Sequence, residues 1–148
     1  MADIFSKDKR SQIMKCVKGK DTSPEKIVRS ALHRAGFRFR LHRADLPGKP
    51  DIVLSRYRTV IFVNGCFWHQ HPGCRKATIP EDNSEFWQKK LSATMKRDEK
   101  NQRELRDLDW HVVVVWECEI LKSFEETMNR IFALLKDLQK EGKGNEIE

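Results

Sequence analysis

Apolar residues recur at helical spacing in three stretches of the chain and alternate or cluster in four shorter ones. The first helical stretch lies in "DTSPEKIVRSALHRAGF". Ile27, Val28, Ala31, Leu32 and Ala35 form one apolar stripe. Thr22 or Ser23 can cap it, Pro24 suits its first turn, Glu25 suits the positive end of its dipole, and Gly36 ends it. "FRFRL" alternates apolar and basic residues and predicts a half-buried strand. After the turn "LPGKP", the runs "DIVL" and "TVIFV" predict two neighbouring strands of a hairpin, joined by "SRYR" and buried on both faces. Ser84 is the expected cap of a long helix carrying Phe86, Trp87, Leu91, Met95, Leu105 and Leu108, and of these Phe86 is assigned to the core. "WHVVVVWEC" is β-branched and predicts a further strand. Ser123 and Glu126 have capping-box spacing ahead of a last helix with Phe124, Met128, Ile131, Phe132, Leu135 and Leu138 on one face.

The order α-β-β-β-α-β-α predicts an α/β sandwich around a mixed sheet of about four strands. The 148 residues suit a single domain. Residues 1–20, basic and with apolar Ile13 and Met14, read as a short N-terminal helix or arm, and residues 141–148 as a flexible tail.

Composition narrows the class. Hydrophobic residues make up 39% and charged residues 34%, a balance for a folded soluble protein and against disorder. No apolar run approaches the roughly 20 residues needed to span a bilayer, and the start lacks a signal-peptide core, so no membrane association and a cytoplasmic location are expected. The 29 Lys and Arg against 22 Asp and Glu give a formal charge of +7, which suits a phosphate backbone without requiring one.

The chemistry concentrates in "VNGCFWHQHPGC", residues 63–74. Cys66, His71 and Cys74 have the spacing C-x4-H-x2-C, with a Pro-Gly turn between the last two. Thiolate and imidazole donors in a closed set of four suit structural zinc. Cys118 completes the set if its strand lies beside the one ending at Val63; otherwise Cys66 and Cys118 are ordinary buried cysteines. Cys16 is read as packing only. His69 is left over from the four ligands, either for acid–base work or phosphate binding, or as a supporting or solvent-exposed histidine. Asp51, at the mouth of a buried strand, can hold Mg2+ with the backbone carbonyl of Val63, and Glu25 can add a supporting carboxylate. The bland alternatives are a turn-capping Asp and an N-terminal helix Glu. Phe67, Trp68 and Trp87 can stack on bases or wedge between them, or can lie in the core. Lys89, Lys90 and the N-terminal basic residues are candidate phosphate contacts.

The segments "RSQIMKCVKGKDTSPE", "LPGKPDIVL", "VIFVNGCFWHQHPGC", "FWQKKL" and "WHVVVVWECE" resemble, in order, segments of the very-short-patch repair (Vsr) DNA mismatch endonucleases, over roughly residues 3–120. The resemblance implies a restriction-endonuclease-like sandwich. It implies a nick in duplex DNA, 5′ to the thymine of a T·G mismatch left by deamination of 5-methylcytosine. On this sequence it makes Asp51, with the Val63 carbonyl, the Mg2+ site, His69 the general base and Glu25 an accessory acid. It makes Cys66, His71, Cys74 and Cys118 the zinc ligands. Phe67, Trp68 and Trp87 become intercalating residues, and Met14 enters from the opposite groove. It implies a monomer on mismatched double-stranded DNA, nucleoid-associated when bound, with mismatch-repair proteins as further partners. Asn64 stands where some members carry histidine, and Gln70 interrupts a histidine run. Two rival classes remain: a catalytically silent, zinc-stapled DNA-binding module, and a restriction-type endonuclease cutting both strands of paired DNA.

Overall fold

The computed structural model describes residues 23–143, with side chains as far as residue 140. Met14, Cys16 and the N-terminal arm, Thr22 and the end of the tail lie outside the described residues. Helix α1, Ser23–Arg34, buries Val28 and Leu32 together with the carboxyl of Glu25. It stops where Gly36 turns left-handed, at φ 89°. The Gly36 N–H donates to the His33 carbonyl (3.0 Å) and the Phe37 N–H to that of Leu32 (3.0 Å), a Schellman closure that a Cβ-bearing residue would strain.

Three strands follow: β1 (Arg40–Leu41), β2 (Ile52–Leu54) and β3 (Thr59–Asn64). Both junctions are antiparallel, with Leu41 opposite Ile52 and Ile52 opposite Ile61. The hairpin expected from "DIVL" and "TVIFV" is present, and its turn is a 3₁₀ segment, Ser55–Tyr57, closed by left-handed Arg58. "FRFRL" behaves differently from expectation. Only Arg40 and Leu41 pair, and both are exposed. Phe37 and Phe39 still pack on the core. Phe37 stacks on Phe132 (5.7 Å between centroids) and meets Tyr57 edge-on (5.6 Å). Burial by the two phenylalanines, not sheet pairing, underlies the alternation.

Helix α2, Ser84–Asp107, then leads to β4, His111–Trp116, which lies parallel to β3 from Thr59↔His111 to Asn64↔Trp116. Two more helices close the described chain, α3 (Glu117–Lys122) and α4 (Phe124–Lys143). The sheet order is β1-β2-β3-β4, giving the expected mixed four-stranded α/β sheet with flanking helices.

Strand periodicity divides the core between the two sheet faces. Ile52, Leu54, Ile61 and Val115 pack with Val28 and Leu32 of α1, Ile120 of α3, and Met128, Ile131 and Leu135 of α4. On the other face Val53 and Val60 pack with Leu105 of α2 and with Trp110, which the Arg58 guanidinium covers at 4.3 Å.

Three local expectations are corrected. Ser84 is the first helical residue and not the cap; left-handed Asn83 precedes it, and its carbonyl accepts the Trp87 N–H (3.1 Å). Asn tolerates that backbone better than most residues. Phe86 is not in the core: it is 57% exposed, as Met95 and Leu108 also are to a similar degree. Of the apolar positions assigned to α2, only Leu91 and Leu105 are buried. The strand expected over "WHVVVVWEC" ends at Trp116 and the chain turns helical at once; Ser123, which ends α3, also directly precedes α4, its carbonyl accepting the Thr127 N–H (3.0 Å). Glu119 Oε1 accepts the Trp116 N–H (3.1 Å) and fixes that switch. Among the described residues no helix is long and apolar enough to cross a membrane.

Leu32 is fully buried and Leu108 is half exposed. In urea denaturation, Leu32→Ala is expected to cost about 2–5 kcal/mol, and Leu108→Ala no more than about 0.5 kcal/mol.

Candidate active site and metal centre

The parallel pairing of β3 and β4 brings two chain segments out of the same end of the sheet. From β3 emerges the loop bearing Cys66, His71 and Cys74; from β4 emerges the first turn of α3, bearing Cys118. Donor atoms of these four residues lie within 4.8 Å of one another, and Cys118 Sγ is 3.3 Å from His71 Nδ1. All three cysteines are free thiols. Three sulfurs and one imidazole at this spacing fit a closed tetrahedral zinc site. The loop is tightly wound: the His69 N–H donates to Gly65 O (3.1 Å), His71 N–H to Cys66 O (2.9 Å) and Cys74 N–H to His71 O (3.3 Å), with Gln70 and Gly73 left-handed. The His71 ring stacks on Trp116 at 4.3 Å, which fixes its plane. Burial pushes the Cys66 thiol up to about 12, whereas the Lys76 backbone N–H holds the Cys74 thiol below its ordinary range.

A second cluster forms where α1 meets the β1–β2 junction. Donor atoms of Glu25, His42 and Asp51 also lie within 4.8 Å of one another. Asp51 stands just before β2, and its Oδ2 accepts the Val63 N–H (2.7 Å). Glu25, 1% exposed, places Oε2 3.0 Å from His42 Nε2 and 3.1 Å from Arg29 Nη1. His42 Nδ1 is 3.9 Å from Asp51 Oδ1. The Asp51 carboxyl is pushed up to about 7, chiefly by burial and further by neighbouring Glu25; the Val63 N–H and His42 pull the other way. Two carboxyl groups shielded from water at this distance make a site that favours a cation.

His69 belongs to neither cluster. Its Nδ1 is 2.6 Å from Asp98 Oδ2 on α2. Phe67, Trp68 and Trp87 form a mutual group, with centroids 5.2 Å apart for Phe67–Trp68, 5.4 Å for Phe67–Trp87 and 5.9 Å for Trp68–Trp87. Trp68 is 46% exposed. Phe86 abuts Trp87 at 5.3 Å, and Lys90 Nζ sits 5.6–5.8 Å from the rings of Trp68, Phe86 and Trp87.

The structure therefore brings together the four cysteine and histidine ligands, and separately joins Glu25 to Asp51 and Asp51 to the backbone of Val63. Sequence reasoning missed His42, Asp98 and the exposed Phe86. His42 could have been found by extending the β1–β2 register one residue past Leu41↔Ile52, where it falls opposite Asp51; its N–H indeed donates to Asp51 O (3.2 Å). Asp98 carries no comparable local signal, because it is one acid among many charges on a long helix.

Residues 2–76 match the family described as DNA mismatch endonuclease Vsr. The chain belongs to the Vsr family. It is 45% identical over 139 residues to the type II nicking enzyme V.NmeAIP of Neisseria meningitidis serogroup A, covering 93% of this chain and 99% of that one. It is 48% identical over 120 residues to the type II nicking enzyme V.XorIIP of Xanthomonas oryzae pv. oryzae, covering 81% and 88%. It is 42% identical over 120 residues to the DNA mismatch endonuclease Vsr of Escherichia coli K12, covering 81% and 76%.

The Asp51 environment has a signed consequence for this Vsr-family fold. The folded carboxyl keeps its proton up to about 7, whereas the unfolded one loses it near 3.8, so the folded state binds more protons between those values and loses stability as pH rises through that window. In calorimetry without added divalent cation, Asp51→Asn is expected to melt above the parent protein at pH 8 and with it below about pH 4. An Asn variant that melts lower at pH 8 would contradict the assignment.

Proposed function

We propose that this Vsr-family chain acts as one endonuclease domain, nicking duplex DNA on the 5′ side of the thymine in a T·G mismatch by Mg2+-dependent phosphodiester hydrolysis. That it is a DNA nicking endonuclease follows from the family and from the relatives' activities. The observation that carries the finer reading is the loop over residues 65–74. One segment bears three members of the Cys/His cluster, the histidine paired with Asp98, and Phe67 and exposed Trp68 of the aromatic group.

Asp51 and the Val63 carbonyl are the proposed Mg2+ ligands, with Glu25 as accessory acid. In an extended strand the N–H and carbonyl of one residue face the same edge, and the Val63 N–H already points at Asp51. Bound there, Mg2+ supplies charge neutralisation to the scissile phosphate. His69 acts as general base. Its Nδ1 is engaged by the Asp98 carboxylate, which leaves Nε2 to accept the proton of the attacking water and stabilises the imidazolium that results. The water oxygen bonds to phosphorus and the bond to the departing 3′ oxygen breaks. Zinc on Cys66, His71, Cys74 and Cys118 holds the loop in place and takes no part in the hydrolysis.

Phe67, Trp68 and Trp87 enter the base stack beside the mismatch, and Lys90 turns from their faces towards phosphate. A T·G wobble stacks less well than a matched pair, so opening the duplex there costs less, by on the order of a kcal/mol. Met14, outside the described residues, is proposed to act from the other groove. The chain works as a monomer on cytoplasmic or nucleoid DNA, and mismatch-repair proteins are its proposed partners.

The test is strand-resolved cleavage of T·G and fully paired duplexes with Mg2+. The parent protein should cut only the thymine strand. Asp51→Ala should be inactive, and His69→Ala and Asp98→Asn should lose roughly 10²–10⁴-fold in kcat. Binding without any cleavage would mean a silent DNA-binding module, and double-strand cuts in paired DNA a restriction-type enzyme.

A further inference from the structure

His42 has no part in the reaction described above, yet it is the residue most closely built into the acid cluster. Its backbone is left-handed at φ 50°, a conformation unfavourable for an ordinary side chain. The strand register holds it there, because the His42 N–H donates to the Asp51 carbonyl (3.2 Å) one position beyond the last β1–β2 pair. That backbone carries the ring between two acids, with Nε2 3.0 Å from Glu25 Oε2 and Nδ1 3.9 Å from Asp51 Oδ1. Donor atoms of all three residues then fall within 4.8 Å of one another, a spacing that a single ion can bridge.

We infer that His42 is a third protein ligand of the cation held at Asp51, so that this site offers a mixed nitrogen and oxygen donor set and favours Mn2+ over Mg2+. The inference rests on the reading of Asp51 as a cation ligand. The chemistry of the set drives the selectivity. Sites made of carboxylate, carbonyl and water serve Mg2+ and Mn2+ alike, whereas an imidazole nitrogen is a donor that transition ions take and Mg2+ seldom does. Arg29, 3.1 Å from the same Glu25 oxygen that His42 reaches, offsets part of the acid charge, so the site does not depend on carboxylate charge alone to select its ion. The imidazole supplies discrimination where charge supplies only attraction.

The test is pulsed electron paramagnetic resonance of Mn2+ added to the zinc-loaded full chain, with parallel titration of Mn2+ affinity and competition by Mg2+. The parent protein should show electron-spin-echo modulation from a directly bound 14N. His42→Gln should abolish that modulation and weaken Mn2+ binding by about tenfold or more, with Mg2+ competing more effectively. His69→Gln should keep the modulation, which separates the two histidines. His42→Asn provides a second removal of the ring should the Gln variant fail to fold, and circular dichroism reports folding for each. Mn2+ binding that is lost in Asp51→Asn but shows no 14N coupling in the parent would overturn the role of His42 and leave the Asp51 site standing. Mn2+ binding indifferent to Asp51→Asn would overturn both.

Discussion

Parallel pairing of β3 with β4 is the constraint on which the rest of this molecule depends. Antiparallel neighbours would send their following segments out of opposite ends of the sheet. A parallel pair sends both out of the same end, and the register Asn64↔Trp116 makes them leave level with each other. That is why residues as distant in sequence as Cys66 and Cys118 meet. A zinc ion bound to them would cross-link loop, strand and helix, and the free energy of binding would become free energy of folding. The same loop carries His69 towards Asp98 and lifts Trp68 clear of the core.

Other features cost stability and make sense only through function. Asp51 and Glu25 share a pocket mostly closed to water, and the raised Asp51 carboxyl is the sign of that strain. Trp68 and Phe86 keep 46% and 57% of their surface in solvent, beside a lysine that covers their faces and those of Trp87. A fold selected for stability alone would neutralise the first and bury the second. Both suit the proposed function, in which the first would hold a cation against a phosphate and the second would enter a base stack.

How much could be seen in the sequence depended on how local each signal was. C-x4-H-x2-C is a contiguous pattern and pointed directly to three members of the Cys/His cluster. Cys118 needed one further step, the adjacency of two strands, which β-branched runs such as "TVIFV" and "HVVVV" made available. The helix α1 and its Gly36 terminus were legible because cap, stripe and stop all fall within one short segment. His42 was hidden because its importance lies in register: one residue past a two-residue strand, it meets Asp51 only once β1 and β2 are paired. Asp98 was hidden by helix phase, since which charged residue of α2 faces the loop depends on how that helix docks. Phe86 was misread for the opposite reason: burial is the usual fate of phenylalanine, and nothing local shows that the first turn of α2 lies outside the core. The short helix α3 was missed because "VVVVWEC" reads as a continuous strand until the Glu119 side chain folds back on Trp116.

Zinc K-edge X-ray absorption on the purified chain tests the central claim most directly. The account predicts one zinc per chain with three sulfurs at about 2.3 Å and one nitrogen at about 2.0–2.1 Å, and a shell that loses one sulfur in Cys118→Ala. A shell dominated by oxygen, or one unchanged by removal of Cys118, would show that the two strands do not deliver their ligands to a common ion.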